Sequence, residues 1–158
     1  MTSTAAYQPS TTGWVREQVE PYERTNGAQG NTLNGDPALP VVILTSTGAR
    51  TGLLRKTPVM RIEHNGIYAV VAAVGGGPTN PGWYHNLRAH PDVDLRDRDT
   101  VHRLRARETT GDEKARWIVR TDALYAWYPG YREQAAAAGR DIPLFVLEPL
   151  PSRESTQP

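Results

Sequence analysis

The sequence predicts a single α+β domain whose mostly antiparallel sheet curls into a small, partly open barrel. Two pairs of strand-like segments are joined by tight turns, His64-Asn65-Gly66 and Arg98-Asp99, and strands joined in this way pair antiparallel. The predicted elements follow the order helix, three strands, helix, two strands, two helices, strand, which is typical of a barrel with flanking helices. At 158 residues the chain is long enough to bury a core of its own.

The first third of the chain predicts a helix, a loop and a buried strand. Thr12 is placed to cap a helix that begins near Gly13, and Pro21 is expected to kink this helix or end it early. The Gly- and Asn-rich stretch 26–40 predicts a loop. Leu39–Ser46 is apolar without alternation, as expected for a strand that is buried on both faces.

The middle of the chain predicts two hairpins with a helix between them. The first hairpin joins Arg55–Glu63 to Ile67–Val74 through Asn-Gly, which strongly favours a two-residue turn. Asn80 is predicted to cap the next helix. The second hairpin joins Asp92–Asp97 to Val101–Glu108.

The last third predicts two helices and a final strand. Thr110 and Glu113 have the spacing of a capping box, in which the two residues satisfy each other's backbone N–H groups, for a helix from Gly111 to about Tyr125. A second helix is predicted over Pro129–Gly139 and a strand over Pro143–Leu147.

The ends of the chain have a different composition from the predicted domain, which spans residues 13–149. Residues 1–12 are expected to form a flexible arm, and residues 150–158, which are polar and rich in Pro and Ser, a disordered tail. The start of the chain lacks the layout of a secretory signal, and no segment is apolar for long enough to span a membrane. We therefore expect a cytoplasmic protein.

Composition and spacing exclude several classes of function. The chain contains no cysteine, which rules out disulfides, thiolate metal sites and cysteine nucleophiles. Its net charge of +1 argues against nucleic-acid binding driven by charge. The four histidines lack the spacing of metal ligands, so no metal site is predicted.

Residues 45–58, TSTGARTGLLRKTP, concentrate cations and hydroxyls directly after the first predicted strand. Turns at Gly48 and Gly52 would expose backbone N–H groups that can form an anion-binding nest. Cationic side chains beside such a nest can pair with phosphate or carboxylate oxygens, and here they are Arg50, Arg55 and Lys56. An ordinary surface turn with solvated cations is the alternative, and spacing alone favours it.

Two further segments can be interpreted as ligand sites. In AAVGGGPTNPGWYHNL, residues 72–87, three glycines would let a flat ring lie on the backbone beside Trp83 and Tyr84. The alternative is a connector into a core helix. In YAWYPGYREQ, residues 125–134, aromatic side chains surround Pro129-Gly130 and would form either a lid over an apolar substrate or a packed helix–turn–helix corner.

Taken together, LTSTGARTGLLRKTPVM, YAVVAAVGGGPTNPGWYHNLRAHPDV, WYPGYREQ and IPLFVLEP resemble the deazaflavin-dependent nitroreductase family, whose members use coenzyme F420. The resemblance extends from about Trp14 to Pro149 and implies a split β-barrel that holds the phosphate and oligoglutamate tail of F420 on the cationic turn. It implies a reductase that passes hydride from reduced F420 to an electron-poor acceptor, with a quinone as the first choice and activated nitro compounds as adventitious acceptors.

The resemblance also implies roles for individual residues. Tyr128 and Tyr131 would line the substrate side, where one of them would hydrogen-bond the acceptor oxygen and supply a proton. The residues implied to bind the cofactor, from the phosphate segment to the helix behind the ring, are Arg50, Thr51, Arg55, Lys56, Pro58, Met60, Ala72, Ala73, Gly75, Gly76, Gly77, Trp83 and Asn86.

The chain departs from the nitro-drug activators of that family. They carry a tyrosine at Met60, a basic residue at Val74, a third lid tyrosine at Gln134, and Arg-Lys at Ala49-Arg50. The missing tyrosines argue against activity on bulky nitroimidazoles. A non-catalytic F420 carrier and a related split-barrel reductase that uses flavin mononucleotide remain alternatives.

The first helix leaves one further question open. Trp14, Val15 and Val19 would suit peripheral contact with the inner face of a membrane, where a lipid quinone is found. The acidic residues of the same helix oppose this contact, and packing of the helix against the barrel is favoured.

Overall fold

The structure is a computed structural model that describes residues 5–150, without the surroundings of Gly75. The described helices are α1 (Gly13–Arg24), α2 (Gly82–Ala89), α3 (Gly111–Leu124) and α4 (Tyr128–Ala137), with a 3-10 turn at Val74–Gly76. The strands are β1 (Val41–Thr47), β2 (Leu54–Met60), β3 (Glu63–His64), β4 (Ile67–Val71), β5 (Asp92–Asp97), β6 (Thr100–Glu108) and β7 (Leu144–Pro149).

The seven strands form one sheet in the order β2-β1-β5-β6-β7-β4-β3, and all pairings between them are antiparallel. The sheet curls into a half-barrel around an apolar core that includes Val42, Leu44, Leu95 and Phe145. The α2 helix closes one side of this core through Leu87. The predicted α+β class and partly open antiparallel barrel are therefore confirmed.

The first predicted hairpin has different partners in the structure. β2 pairs with β1 along its full length, so the cationic turn is itself the hairpin loop. Of the strand predicted to pair with β4, only the short β3 does so, through a turn at Asn65 and Gly66, which both have positive φ. The long strand predicted over Arg55–Glu63 is interrupted at Arg61 and Ile62, and the guanidinium of Arg61 bonds to the carboxylate of Asp97 at 2.8 Å.

The α1 helix continues through Pro21 to Arg24, so the expectation that this proline ends the helix early is wrong. Proline removes one N–H donor, yet its carbonyl accepts hydrogen bonds from the N–H (3.1 Å) and hydroxyl (2.7 Å) of Thr25. Burial of one face outweighs the lost bond. This face packs on β1 through Val15, Val19, Tyr22 and Ile43.

The predicted side-chain caps are wrong, and two of the side chains bond instead to guanidinium groups elsewhere in the fold. Asn80 does not cap α2, and its Oδ1 accepts a hydrogen bond from Arg140. Glu113 does not complete a capping box, and its carboxylate pairs with Arg107 at 2.7 and 2.9 Å. Thr12 likewise makes no side-chain cap bond. Guanidinium donors form stronger hydrogen bonds with the side-chain oxygens of Asn80 and Glu113 than a backbone N–H does.

The remaining predicted elements are confirmed to within a few residues. These are β1, α2, the β5–β6 hairpin, α3, α4 and β7. Within the segment predicted as a flexible arm, residues 6–8 lie along β2. The N–H of Gln8 donates to the carbonyl of Leu54 and the N–H of Leu54 to that of Ala6, both at 2.8 Å. Residues 1–4 and the predicted tail from residue 151 onward lie outside the described residues.

Candidate functional site

A cavity of about 1030 Å³ opens beside β2. Its wall is formed by the turn between β1 and β2, by β2 itself, by the segment after β4, by the start of α2 and by α4. The α1 helix and the arm before it complete the wall through residues such as Gln8, Trp14 and Gln18. A cavity of this size is large enough for an organic cofactor together with part of a substrate.

Asn86 of α2 holds the turn between β1 and β2 in place. Its Oδ1 accepts a hydrogen bond from the N–H of Ala49 at 2.9 Å, and its Nδ2 donates to the hydroxyl of Ser46 at 3.2 Å. The turn is closed by the N–H of Gly48, which bonds to the carbonyl of Leu53 at 2.7 Å. Asn86 therefore joins the helix to the turn that carries the cations.

The turn leaves part of the predicted anion nest available. The N–H groups of Gly52 and Leu53 bond within the turn, the second one to the hydroxyl of Thr51 at 3.2 Å. Among the described residues, the N–H groups of Arg50 and Thr51 have no acceptor. At the start of α2, which lines the same cavity, the N–H groups of Gly82 and Trp83 also have no acceptor within the described residues, whereas that of Tyr84 bonds to the carbonyl of Pro81. Donors from two elements thus serve one cavity.

The three predicted cations have different environments. Arg50 and Arg55 line the cavity, and neither has an ion-pair partner within residues 5–150. The ammonium of Lys56 pairs with Glu23 of α1 and lies 4.8 Å from the centre of the Tyr7 ring. An anion that enters the cavity therefore meets two free guanidinium groups and competes with Glu23 for Lys56.

The predicted ring-binding residues separate into two groups. Pro58, Met60, Ala73 and Trp83 lie on the cavity wall. Ala72, Gly76 and Gly77 do not lie on the cavity wall. Gly75 belongs to the same turn, but the structure does not describe its surroundings.

Gly76 shows what the glycines do in the fold. A Cβ added there would lie 2.9 Å from the backbone oxygen of Tyr131, and the residue has φ of +79°. Gly76 therefore allows the segment after β4 to pack directly against α4. These positions do not support the interpretation of the glycines as an open bed for a ring.

The aromatic residues of the α3–α4 corner both pack together and face the cavity. Tyr128 and Tyr131 line the cavity, with ring centres 6.1 Å apart. Burial raises the pKa of Tyr128 well above its ordinary value, so its phenol stays neutral and can donate a hydrogen bond. Tyr125 supports them from behind: its ring stacks on Trp127, and its hydroxyl donates to the carbonyl of Arg61 at 2.6 Å.

Several wall residues have no counterpart in the sequence-based prediction. Ser46 anchors Asn86, and Trp14 and Gln18 reach the cavity because α1 packs across β1. No local pattern marks these residues, since their role depends on contacts between distant elements.

Val15 and Val19 are buried, which leaves Trp14 as the exposed member of the set considered for membrane contact. None of the helices described is both long and apolar enough for a membrane span.

A model of the F420H(2)-dependent quinone reductase family matches residues 14–149. The chain belongs to this family. The resemblance to F420-dependent reductases that the motifs indicate is thereby confirmed.

Individual members of the family show how far the similarity extends. An F420H(2)-dependent quinone reductase of Mycobacterium tuberculosis is 43% identical over 74 residues, which cover 47% of this chain and 48% of that protein. The chain thus spans about half the length of the curated relatives it matches. The solved structure of an F420-H2 dependent reductase (FDR-A) is 41% identical, covers 69% of this chain and 94% of its own, and superposes with a TM-score of 0.64. A structure described as a domain-swapped dimer is 38% identical, covers 88% of this chain and 100% of its own, and has a TM-score of 0.67.

The cavity fits the cofactor in the family's name, which the resemblance describes as a flat ring with a phosphate and an acidic tail. The free guanidinium groups of Arg50 and Arg55 and the unpaired N–H groups beside them suit phosphate and carboxylate oxygens. Pro58, Met60 and Trp83 provide an apolar wall for a flat ring. The donor set and the apolar wall belong to one continuous cavity.

Proposed function

We propose that this protein is an F420H(2)-dependent quinone reductase. The observation that supports the proposal is the division of one cavity into a cationic end, at Arg50 and Arg55, and an aromatic end, at Tyr128 and Tyr131. Bound F420H(2) supplies a hydride, and a quinone that accepts this hydride and one proton becomes a quinol.

Arg50 and Arg55 bind the anionic part of the cofactor in this proposal. Asn86 keeps the turn, and with it Arg50, at a constant distance from α2. The same helix places Trp83 on the wall beside the ring. The residues that bind the tail and those beside the ring therefore belong to one rigid unit. The role of these residues is orientation, which contributes most when the reacting atoms are held in contact.

The tyrosines act on the acceptor. The neutral phenol of Tyr128 donates a hydrogen bond to a quinone oxygen, which stabilises the negative charge that the hydride brings to the quinone. Tyr131 is partly exposed, so a proton that its hydroxyl gives to the other quinone oxygen is replaced from water. Closure of the corner around the acceptor excludes most of the remaining solvent.

Activated nitro compounds are secondary acceptors in this proposal, because they are electron-poor and conjugated as quinones are. Met60 and Gln134 stand where nitro-drug activators carry tyrosines, so we expect bulky nitroimidazoles to react poorly.

We place the protein in the cytoplasm. Trp14, which is 58% exposed beside the cavity, is its contact with an apolar acceptor or a membrane surface in this proposal.

Titration of the purified protein with F420 and with flavin mononucleotide tests cofactor choice. Trp83 and Trp127 line the cavity, so a bound ring should quench their fluorescence. We expect quenching by F420 at micromolar concentration and a much weaker response to flavin mononucleotide. The variants Arg50→Met and Arg55→Met should weaken F420 binding and flatten its salt dependence. Arg116→Met, which removes an exposed cation on α3, should change neither.

Turnover separates an enzyme from a carrier. Mixing with F420H(2) and a water-soluble quinone should restore the absorbance of oxidised F420, and a nitro compound should do so more slowly. Tight F420 binding without oxidation by any quinone would identify a carrier and refute the proposal. Preference for flavin mononucleotide would refute it in favour of the flavin-dependent alternative.

A further inference from the structure

The guanidinium of Arg140, just after α4, is bonded entirely to the segment that joins β4 to α2. Its Nε donates to the carbonyl of Gly77 at 2.9 Å, and its Nη2 to that of Ala73 at 2.6 Å. Its Nη1 donates to the carbonyl of Ala72 at 2.9 Å and to Oδ1 of Asn80 at 2.6 Å. One side chain therefore holds both ends and the middle of the segment 72–80.

The segment that Arg140 holds is conformationally strained. Val74 has φ of +47°, in the left-handed region that β-branched residues rarely adopt. Such a conformation persists only where the surrounding structure imposes it. Val74 is exposed to the cavity, so neighbouring side chains do not enclose it. The hydrogen bonds from Arg140 on either side of Val74 restrain this conformation from outside the turn, in addition to the bond from the N–H of Gly77 to the carbonyl of Val74 within it.

The same segment connects the walls of the cavity. Ala73 and Val74 lie on the wall, and the segment leads directly into the start of α2, which also lines the cavity. On its other side Gly76 packs against the backbone of Tyr131 in α4. A shift of the segment would therefore move the ring wall relative to the tyrosine.

Arg140 does not itself line the cavity, and within residues 5–150 it has no carboxylate partner. Its charge is met by backbone carbonyls and one side-chain amide oxygen. This arrangement serves to position a backbone segment, since carbonyls are fixed to the chain in a way that a flexible carboxylate is not.

We propose that Arg140 is a positioning residue for hydride transfer, which sets the wall of segment 72–80 against the tyrosines of α4. The inference rests on the proposed function. In this inference Arg140 affects the orientation of the bound ring. Binding of the acidic tail depends instead on the turn between β1 and β2. Loss of Arg140 should therefore lower kcat more than it raises the KM for F420H(2).

The test compares Arg140→Met and Arg140→Lys with a matched control, Arg132→Met. Arg132 lies in α4 and makes two hydrogen bonds with Asp122, at 2.8 and 2.6 Å, away from the segment. Arg140→Met should lower kcat by about tenfold or more, while the KM for F420H(2) changes less than about threefold. Lysine keeps some of the donors and should restore part of kcat. The control should lower the melting temperature without this split.

Hydrogen exchange of the cofactor-free protein provides a readout that needs no activity. The N–H groups of Gly76 and Gly77 bond to the carbonyls of Ala73 and Val74, both at 2.9 Å, and should exchange at least about tenfold faster in Arg140→Met. Equal exchange in this variant and the control overturns the anchoring, whether or not the enzyme is active. Absence of turnover in the unmodified protein overturns the proposed function and leaves the exchange result intact.

A variant that fails to fold does not end the test. Arg140→Lys keeps the charge, and Val74→Gly in that background relieves the left-handed strain. We expect the double variant to exchange more slowly at Gly76 and Gly77 than Arg140→Lys alone. No difference between the two would show that Arg140 does not restrain Val74, and would overturn the inference.

Discussion

The ion pair between Glu23 and Lys56 predicts a variant that binds its cofactor more tightly than the natural chain does. Glu23 lies on α1 and occupies the ammonium of Lys56, which faces the cavity. In Glu23→Gln the ammonium is released to an acidic tail, so we expect F420 to bind more tightly. The folded protein loses an ion pair in the same variant, so its stability should fall.

The magnitude follows from the exposure of the pair. The side chains of Lys56 and Glu23 are 20% and 26% exposed, and water screens such a pair substantially. Partly exposed pairs stabilise by about 1 kcal/mol or less. Transfer of that free energy to the cofactor corresponds to about fivefold tighter binding. Arg96 lies 4.0 Å from the same carboxylate and loses a weak partner as well, which adds to the loss of stability.

The assay is a fluorescence titration at low ionic strength with F420 and with the same deazaflavin lacking its oligoglutamate tail. Glu23→Gln should tighten F420 alone, and Lys56→Met should weaken it. Combining the two should abolish the gain, since the ammonium is then missing. Glu20→Gln, an exposed carboxylate on the same helix, is the control. An equal gain in F420 affinity in Glu23→Gln and Glu20→Gln would refute the reasoning. So would an equal gain in the affinity of Glu23→Gln for the deazaflavin that lacks the tail.

Three further predictions concern stability. Leu44→Ala removes a fully buried core side chain and should lower the free energy of unfolding by about 2–5 kcal/mol in urea titrations; a loss below about 1 kcal/mol would contradict the core assignment. Gly76→Ala meets backbone at 2.9 Å and should lower both stability and quinone reduction, whereas Gly66→Ala, with similar φ but open space, should cost about 1 kcal/mol and leave activity unchanged. Burial raises the pKa of Tyr68 and Tyr125 to about 12, against about 10 in an unfolded chain, so the stability that these two phenols contribute should be constant below pH 10 and fall between pH 10 and 12. Tyrosine-to-phenylalanine variants at these two positions should flatten that fall in urea unfolding at pH 9 and 11, and an unchanged slope would contradict the burial effect.

Local chemistry predicted much of the fold. The Arg98-Asp99 turn and the alternating strands beside it define the β5–β6 hairpin, because hairpin register depends on neighbouring residues. The same is true of the Asn65-Gly66 turn. The partner of β2 was predicted incorrectly, since an edge strand has no local signal that distinguishes pairing with the preceding strand from pairing with the following one.

The candidate site divides along the same line. The motifs around Arg50 and Trp83 identified the family and most of the cavity wall. The pairing of Lys56 with Glu23 and the packing of Gly76 against α4 were not predicted, because ion pairs and close backbone contacts depend on distances that only the folded chain defines.

The sequence by itself determined the fold class, the hairpin turns and the family, because each depends on apolar periodicity, turn residues or contiguous motifs. Tertiary structure alone decided which polar groups are free and which are engaged. Asn86 meets the turn 37 residues before it, and Arg140 meets the carbonyl of Ala72 across 68 residues. A polar group that loses water in the assembled barrel is destabilising unless it forms a hydrogen bond. Its partner is therefore whichever donor or acceptor the packing brings within hydrogen-bond distance.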